Sequence, residues 1–283
     1  MTIINNLGDT TMKSALLVGV NKYHKLSGCN LNGCVPDIKL AEYILKGDIG
    51  DIKDIPKFKK NKNLFNFNST EILLDKSATK SAVLTGLEKL VKKSYECEIC
   101  TFQFSGHGTQ INDTNNDEDD RLDEAICCSD TSLKGLEGLI VDDELYPILK
   151  DINPKCQFSV IIDACHSDDC TKGISLGKPK NIKYDKQYGK YIHPILKSVK
   201  DEFNHIVISG CKSNETSADA TFWGVSHGVL MYFFYSVLIN TPKITWNECY
   251  KKLFELCKVN GYLQNPQIKG SDILLNQLVL GGP

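Results

Sequence analysis

The sequence predicts an α/β protein, with a parallel or mixed sheet covered by helices. Three observations carry this. Short runs rich in Val, Ile and Leu alternate with stretches whose apolar residues recur near every 3.6 positions. No internal repeat and no linker between two cores is visible in the 283 residues. Residues 13–283 therefore read as one domain behind a short N-terminal extension, 1–12. Finally, two strand-like runs end in reactive residues: "FQFSGHGTQ" carries His107 and "VIIDACHS" carries Cys165. Strand ends are where α/β sheets place their ligands.

Taken in order, the first strand is "SALLVGVN" (Ser14 to Asn21), followed by a Gly- and Asn-rich turn and a helix from about Asp37 to Lys46. A lysine- and asparagine-rich surface segment leads to the strand "EILLD". The helix "TKSAVLTGLEKLVKKS" comes next, with Thr79 placed to cap it. The strand "ICTFQFSGHG" precedes a long acidic loop that runs to about Gly138. "VDDELYPILKDI" reads as a helix with acids in its first turn, where the helix dipole favours them. The strand "QFSVIIDACH" follows, then a polar, lysine-rich segment from about Ser167 to Lys190. The strand "HIVISGC" and helices around "GVLMYFFYSVLI" and "TWNECYKKLFELCKV" complete the chain. Ser226 is expected to cap the first of these helices.

Composition excludes several classes. A net charge of −2 favours neither nucleic acid nor an anionic membrane as partner. The run "GVLMYFFYSVLI" falls short of the roughly 18 residues needed to cross a bilayer. "MTIINNLGDTTMKS" lacks the basic flank and apolar stretch of a signal peptide, so a cytoplasmic location is expected. Twelve cysteines, several inside apolar runs, then read as free thiols in a reducing compartment. Cys97 and Cys100 form a CxxC without the second pair that a zinc site needs.

A cysteine and a histidine at neighbouring strand ends are the minimum equipment for nucleophilic attack on an acyl group. The thiolate attacks and the imidazole protonates the leaving amine. An adjacent imidazolium lowers the thiol's pKa from its usual ~8.5. Spacing alone leaves open that Cys165 is a core thiol and His107 a loop residue. His166, next in the strand, is expected to face away from Cys165. His227 lies in a second "SHG" and reads as a weaker candidate base.

"SGHGTQ", an acidic loop, "DDEL" and "DACHS", in that order, resemble the caspase-like peptidases, and most of all the metacaspases. "ALLVGVNKY", "LNGCVPDIKLAEYIL", "ISGCKSNETSADA" and "QNPQ" have counterparts in the same family. The resemblance implies a caspase-like sandwich, a mostly parallel central sheet of about six or more strands with helices on both faces. It implies a cysteine endopeptidase acting on protein or peptide substrates, with His107 and Cys165 as the dyad. It further implies a monomer without a recruiting prodomain and without an organic cofactor. The alternative from a different class is an inactive caspase-like scaffold that regulates partners by binding. Such a scaffold would be expected to lack one member of the dyad, and both stand here.

Specificity follows from charge. Of the 33 basic residues only Arg121 is arginine, so a two-arginine clamp for a substrate aspartate cannot be built. Asp163, two residues before Cys165, shares its strand face. By resemblance, Asp163 and Asp37, with Cys34 and Ser105 alongside, line an acidic pocket, so cleavage after Lys or Arg is expected. Asp37, just after Pro36, can also be read as a helix cap, a reading compatible with the first. The lysine-rich segment, with Lys172, Lys178 and Lys180, would then be a place for self-processing.

"NDTNNDEDDRLDE" offers hard oxygen ligands suited to Ca2+. Asp113, Asn115, Asp117 and Glu124 match positions 1, 3, 5 and 12 of an EF-hand loop, but Glu118 stands where glycine is required. The resemblance instead places an activating calcium at Asp123, Asp142 and Asp143. Its further aspartate has no counterpart, Lys172 standing near there, unless Asp168 or Asp169 serves. Asp142 and Asp143 can also be read as first-turn acids of a helix.

Overall fold

The computed structural model describes residues 11–46, 65–112, 122–132, 136–166, 204–210, 219–262 and 264–283. Its centre is an eight-stranded sheet. Six strands run in the order β10-β7-β6-β3-β1-β2. They are β1 (Lys13–Gly19), β2 (Ser69–Leu74), β3 (Ile99–Asn112), β6 (Gln157–His166), β7 (His205–Ser209) and β10 (Gln267–Lys269). All are parallel to their neighbours except β10, which lies antiparallel on β7. The other two, β4 (Leu122–Cys127) and β5 (Leu139–Val141), fold back antiparallel beyond the end of β3. Two further strands, β8 (Asp219–Phe222) and β9 (Val225–Gly228), form a separate hairpin.

The interior strands are apolar on both faces because both faces are covered. Along β6, Phe158, Val160 and Ile162 pack into one layer and Ile161 into the other, as the period of two requires. The first layer is closed by α2 (Lys80–Lys93) and α3 (Asp142–Leu149). The second is closed by α1 (Cys34–Lys46), α4 (Val229–Asn240) and α5 (Trp246–Val259). Ten of the twelve residues of α4 are buried, which is how a helix apolar on all sides must sit. Truncating one of the fully buried rings, such as Phe102 or Phe158, costs about 3–5 kcal/mol.

Several expectations are met: Thr79 caps α2, accepting from the Ala82 amide at 3.3 Å, and three acids open α3. Others are corrected. Part of the stretch read as an acidic loop is strand, because Ala125, Ile126 and Cys127 are buried and outweigh the neighbouring charge. Glu124 lies in that strand at 2% exposure, which removes it from an EF-hand; residues 113–121 of that loop lie outside the described residues. The first helix begins at Cys34, a turn earlier than expected, since Pro36 in a first turn leaves no helix bond unmade. Ser226 lies in β9 and caps nothing; α4 starts after Gly228 without a side-chain cap. Among the described residues no helix is long and apolar enough to cross a membrane. The nine cysteines whose side chains are described are free thiols, and among the described residues no group of three or more His, Cys, Asp or Glu is arranged to hold a metal ion. The lysine-rich segment, with Lys172, Lys178 and Lys180, lies outside the described residues, as do Asp168 and Asp169.

Candidate active site

The β3–β6 ladder continues past the apolar core and sets Ser105 opposite Asp163 and His107 opposite Cys165. Adjacent strands lie about 4.8 Å apart, so the backbone brings the two expected dyad positions together as direct neighbours. The side chains of Cys165 and His166 lie outside what is described, and so does the orientation expected for His166.

His107 is 3% exposed and held from two sides. Its Nε2 stands 2.8 Å from the Cys29 carbonyl oxygen. A carbonyl can only accept, so Nε2 carries the proton and neutral His107 presents an unprotonated Nδ1. Its backbone amide donates to the Tyr23 hydroxyl at 2.7 Å, and that hydroxyl donates to the Cys127 carbonyl at 3.2 Å. The Tyr23 ring lies 4.8 Å from the imidazole. Burial pushes the Tyr23 phenol well up, so it stays a neutral donor and acceptor. Gly106 permits this approach: a Cβ there would stand 2.9 Å from the Tyr23 hydroxyl.

On α1 and the adjoining strands the acidic residues gather. Cys34 and Asp37 are three apart at the start of α1 and both are buried. The Asn21 side chain accepts from the Cys34 and Val35 amides, which fixes the start of the helix. Asp37 does not act as its cap. Its Oδ2 accepts from Ser105 Oγ at 2.8 Å and its Oδ1 faces His227 Nδ1 at 2.9 Å. The Gly228 amide reaches both oxygens at 3.1 Å. Burial raises the Asp37 carboxyl above its ordinary range, and these hydrogen bonds oppose the shift. Asp163 is 4% exposed and its Oδ2 accepts from the Met231 amide at 3.1 Å. A Cβ on Gly228 would stand 2.3 Å from Asp163 Oδ2 and 2.9 Å from Asp37 Oδ2, so the two carboxylates converge on one point. Of the four residues expected to line the pocket, Asp37, Ser105 and Asp163 lie in one buried cluster beside the dyad positions, and Cys34, also buried, stands one turn before Asp37 on α1. Tyr23, Cys29 and Gly228 join the cluster without having been expected there, and His227 joins it as a partner of Asp37. "NKYHKLSGC" gave no signal for two of them, since one acts through a hydroxyl and the other through a backbone carbonyl.

The expected calcium ligands are less complete. Asp123 on β4 and Asp142 at the start of α3 are buried at the same end of the β4–β5 ladder, and Asp143 is exposed. These three do not form a cage among the described residues, so they do not by themselves fit a calcium ion.

Known proteins resemble this chain in sequence and in fold. The family profile described as metacaspase, peptidase C14 domain, matches residues 13–172. Metacaspase-1 of Yarrowia lipolytica is 28% identical over 87% of this chain and 60% of its own length. Metacaspase-1 of Schizosaccharomyces pombe is 25% identical over 92% of this chain and 67% of its own. The chain thus spans about 60% of the length of the first of these relatives. Among solved structures, a protein from Geobacter sulfurreducens superposes with a TM-score of 0.63 at 21% identity, covering 96% of this chain and 99% of that one. Caspase-1 from Spodoptera frugiperda gives 0.55 at 12% identity, covering 95% and 89%. At such identities the two structures speak for the fold.

Proposed function

The chain belongs to the metacaspase family of cysteine-type peptidases, and from that premise we propose that it is an endopeptidase cleaving proteins after Lys or Arg. The observation that carries the reading is the pairing of His107 with Cys165 across β3 and β6, with the imidazole anchored on the Cys29 carbonyl. With Nε2–H held there, Nδ1 is the nitrogen left to take the thiol proton. The thiolate attacks the scissile carbonyl carbon, and the same nitrogen returns the proton to the leaving amine. Water then hydrolyses the thioester, His107 again acting as base. Asp163 and Asp37 supply the negative charge that selects a cationic side chain.

Three finer elements belong to the same proposal. Calcium stimulates the enzyme through Asp123, Asp142 and Asp143, with Asp168 or Asp169 completing the set; no catalytic step is derived from the ion. Self-processing falls in the lysine-rich segment. The enzyme acts as a monomer in the cytoplasm, the former supported by β10 occupying the edge of β7. The test is purified protein with lysyl, arginyl and aspartyl fluorogenic peptides, with calcium or with chelator. Basic substrates should be cut, and Cys165→Ala should end the cleavage while leaving the fold intact. Cleavage of aspartyl peptides alone would refute the specificity, and a fully active Cys165→Ala would refute the nucleophile.

A further inference from the structure

His227 enters this cluster from the β8–β9 hairpin. The sequence suggested it as a minor alternative base, yet no described contact joins it to His107. Its side chain is 3% exposed, and its ring tilts against Tyr232 at 5.6 Å. Asp37 accepts from Ser105 and Gly228 as well as facing His227 Nδ1. Surrounded by donors, Asp37 acts as an acceptor towards His227 too, so Nδ1 carries the proton. In the neutral imidazole Nε2 is then a lone pair. It is buried and makes no hydrogen bond, an arrangement that calls for a specific explanation.

We propose that His227 is a specificity-determining residue whose Nε2 accepts a hydrogen bond from the cationic side chain of the substrate, alongside Asp163. The chemistry is matched. A lysine ammonium has three N–H donors and an arginine guanidinium five, and neither has an acceptor. A site holding them needs several acceptors, and two carboxylates partly engaged by Ser105, Gly228 and Met231 leave room for another. An aspartyl side chain would meet only lone pairs here. Asp37 has a second role in this arrangement: it fixes the tautomer that makes His227 an acceptor. The inference rests on the basic specificity proposed above.

The test separates the two. Asn places an amide N–H near the Nδ1 position but nothing at Nε2, so His227→Asn keeps the Asp37 contact and deletes the acceptor. KM for lysyl and arginyl peptides should rise about 10- to 100-fold with kcat nearly unchanged. Independently of turnover or of how that variant folds, 15N-histidine spectra of the Cys165→Ala chain are recorded with benzamidine and with n-butylamine. The Nε2 resonance of His227, assigned by its loss in His227→Asn or by its coupling to the ring protons, should move upfield. Wild-type cleavage of basic peptides with an unmoved resonance overturns the role of His227 and leaves basic specificity standing. A moved resonance without such cleavage supports the binding role while the peptidase reading falls. No shift and no cleavage overturns both.

Discussion

The Tyr23 hydroxyl accepts the backbone N–H of His107 at 2.7 Å while its ring lies 4.8 Å from the imidazole, so one side chain fixes both halves of the histidine. Tyr23→Phe keeps the ring and removes the acceptor. The stranded amide should cost about 1–3 kcal/mol of stability. If Tyr23 positions the base, kcat should fall about tenfold at constant KM and the acid limb of the pH–kcat profile should move. A stability loss with an unmoved profile would reduce Tyr23 to a packing role.

Gly228 stands where any side chain would collide with both acidic residues. Gly228→Ala forces the hairpin away from Asp163 and Asp37 and should cost about 1–3 kcal/mol. Cleavage after basic residues should weaken more than thiol alkylation by a small reagent such as iodoacetamide. Equal loss in both would show that the damage is not confined to the pocket.

His205 opens β7, is 4% exposed and has its Nδ1 2.9 Å from Asn204 Oδ1. Burial lowers it from 6.5 to about 4. Between those values the folded chain keeps it neutral while the unfolded chain takes up a proton. Stability present above pH 6.5 is therefore lost as pH falls through this window, by about 3 kcal/mol in all. Urea unfolding at pH 7 and pH 4.5 should show a smaller difference for His205→Gln than for wild type. Equal differences would exclude His205 as the source.

Calcium gives a separate measurement. Calorimetric titration of the full chain should show binding that Asp123→Asn weakens about tenfold or more. Unaltered peptidase activity in chelator would remove the ion from the account.

The parts of the fold legible in the sequence were those governed by periodicity. Phe158 to Ile162 alternate between two apolar layers, and Val83, Leu87, Leu90 and Val91 mark one side of α2. β4 was hidden because its acids look like loop residues until their burial is known. At the candidate site, His107, Cys165, Asp37 and Asp163 are legible because their side-chain chemistry and motif positions single them out in the sequence. The Cys29 carbonyl could not be read, since every residue carries one and only the fold selects which reaches the imidazole. His227 stands out in the sequence only by its type, and its contact with Asp37, 190 positions away, is made visible by the fold alone.

β6 and β7 are joined through residues 167–204, yet they lie side by side, paired from Phe158↔His205 to Ile162↔Ser209. A scission anywhere in that connection would sever the covalent chain but not the sheet, whose two pieces would stay interlocked by those bonds and by α4 across them. Nicked protein should therefore run as two bands in detergent and elute as a single particle from a sizing column.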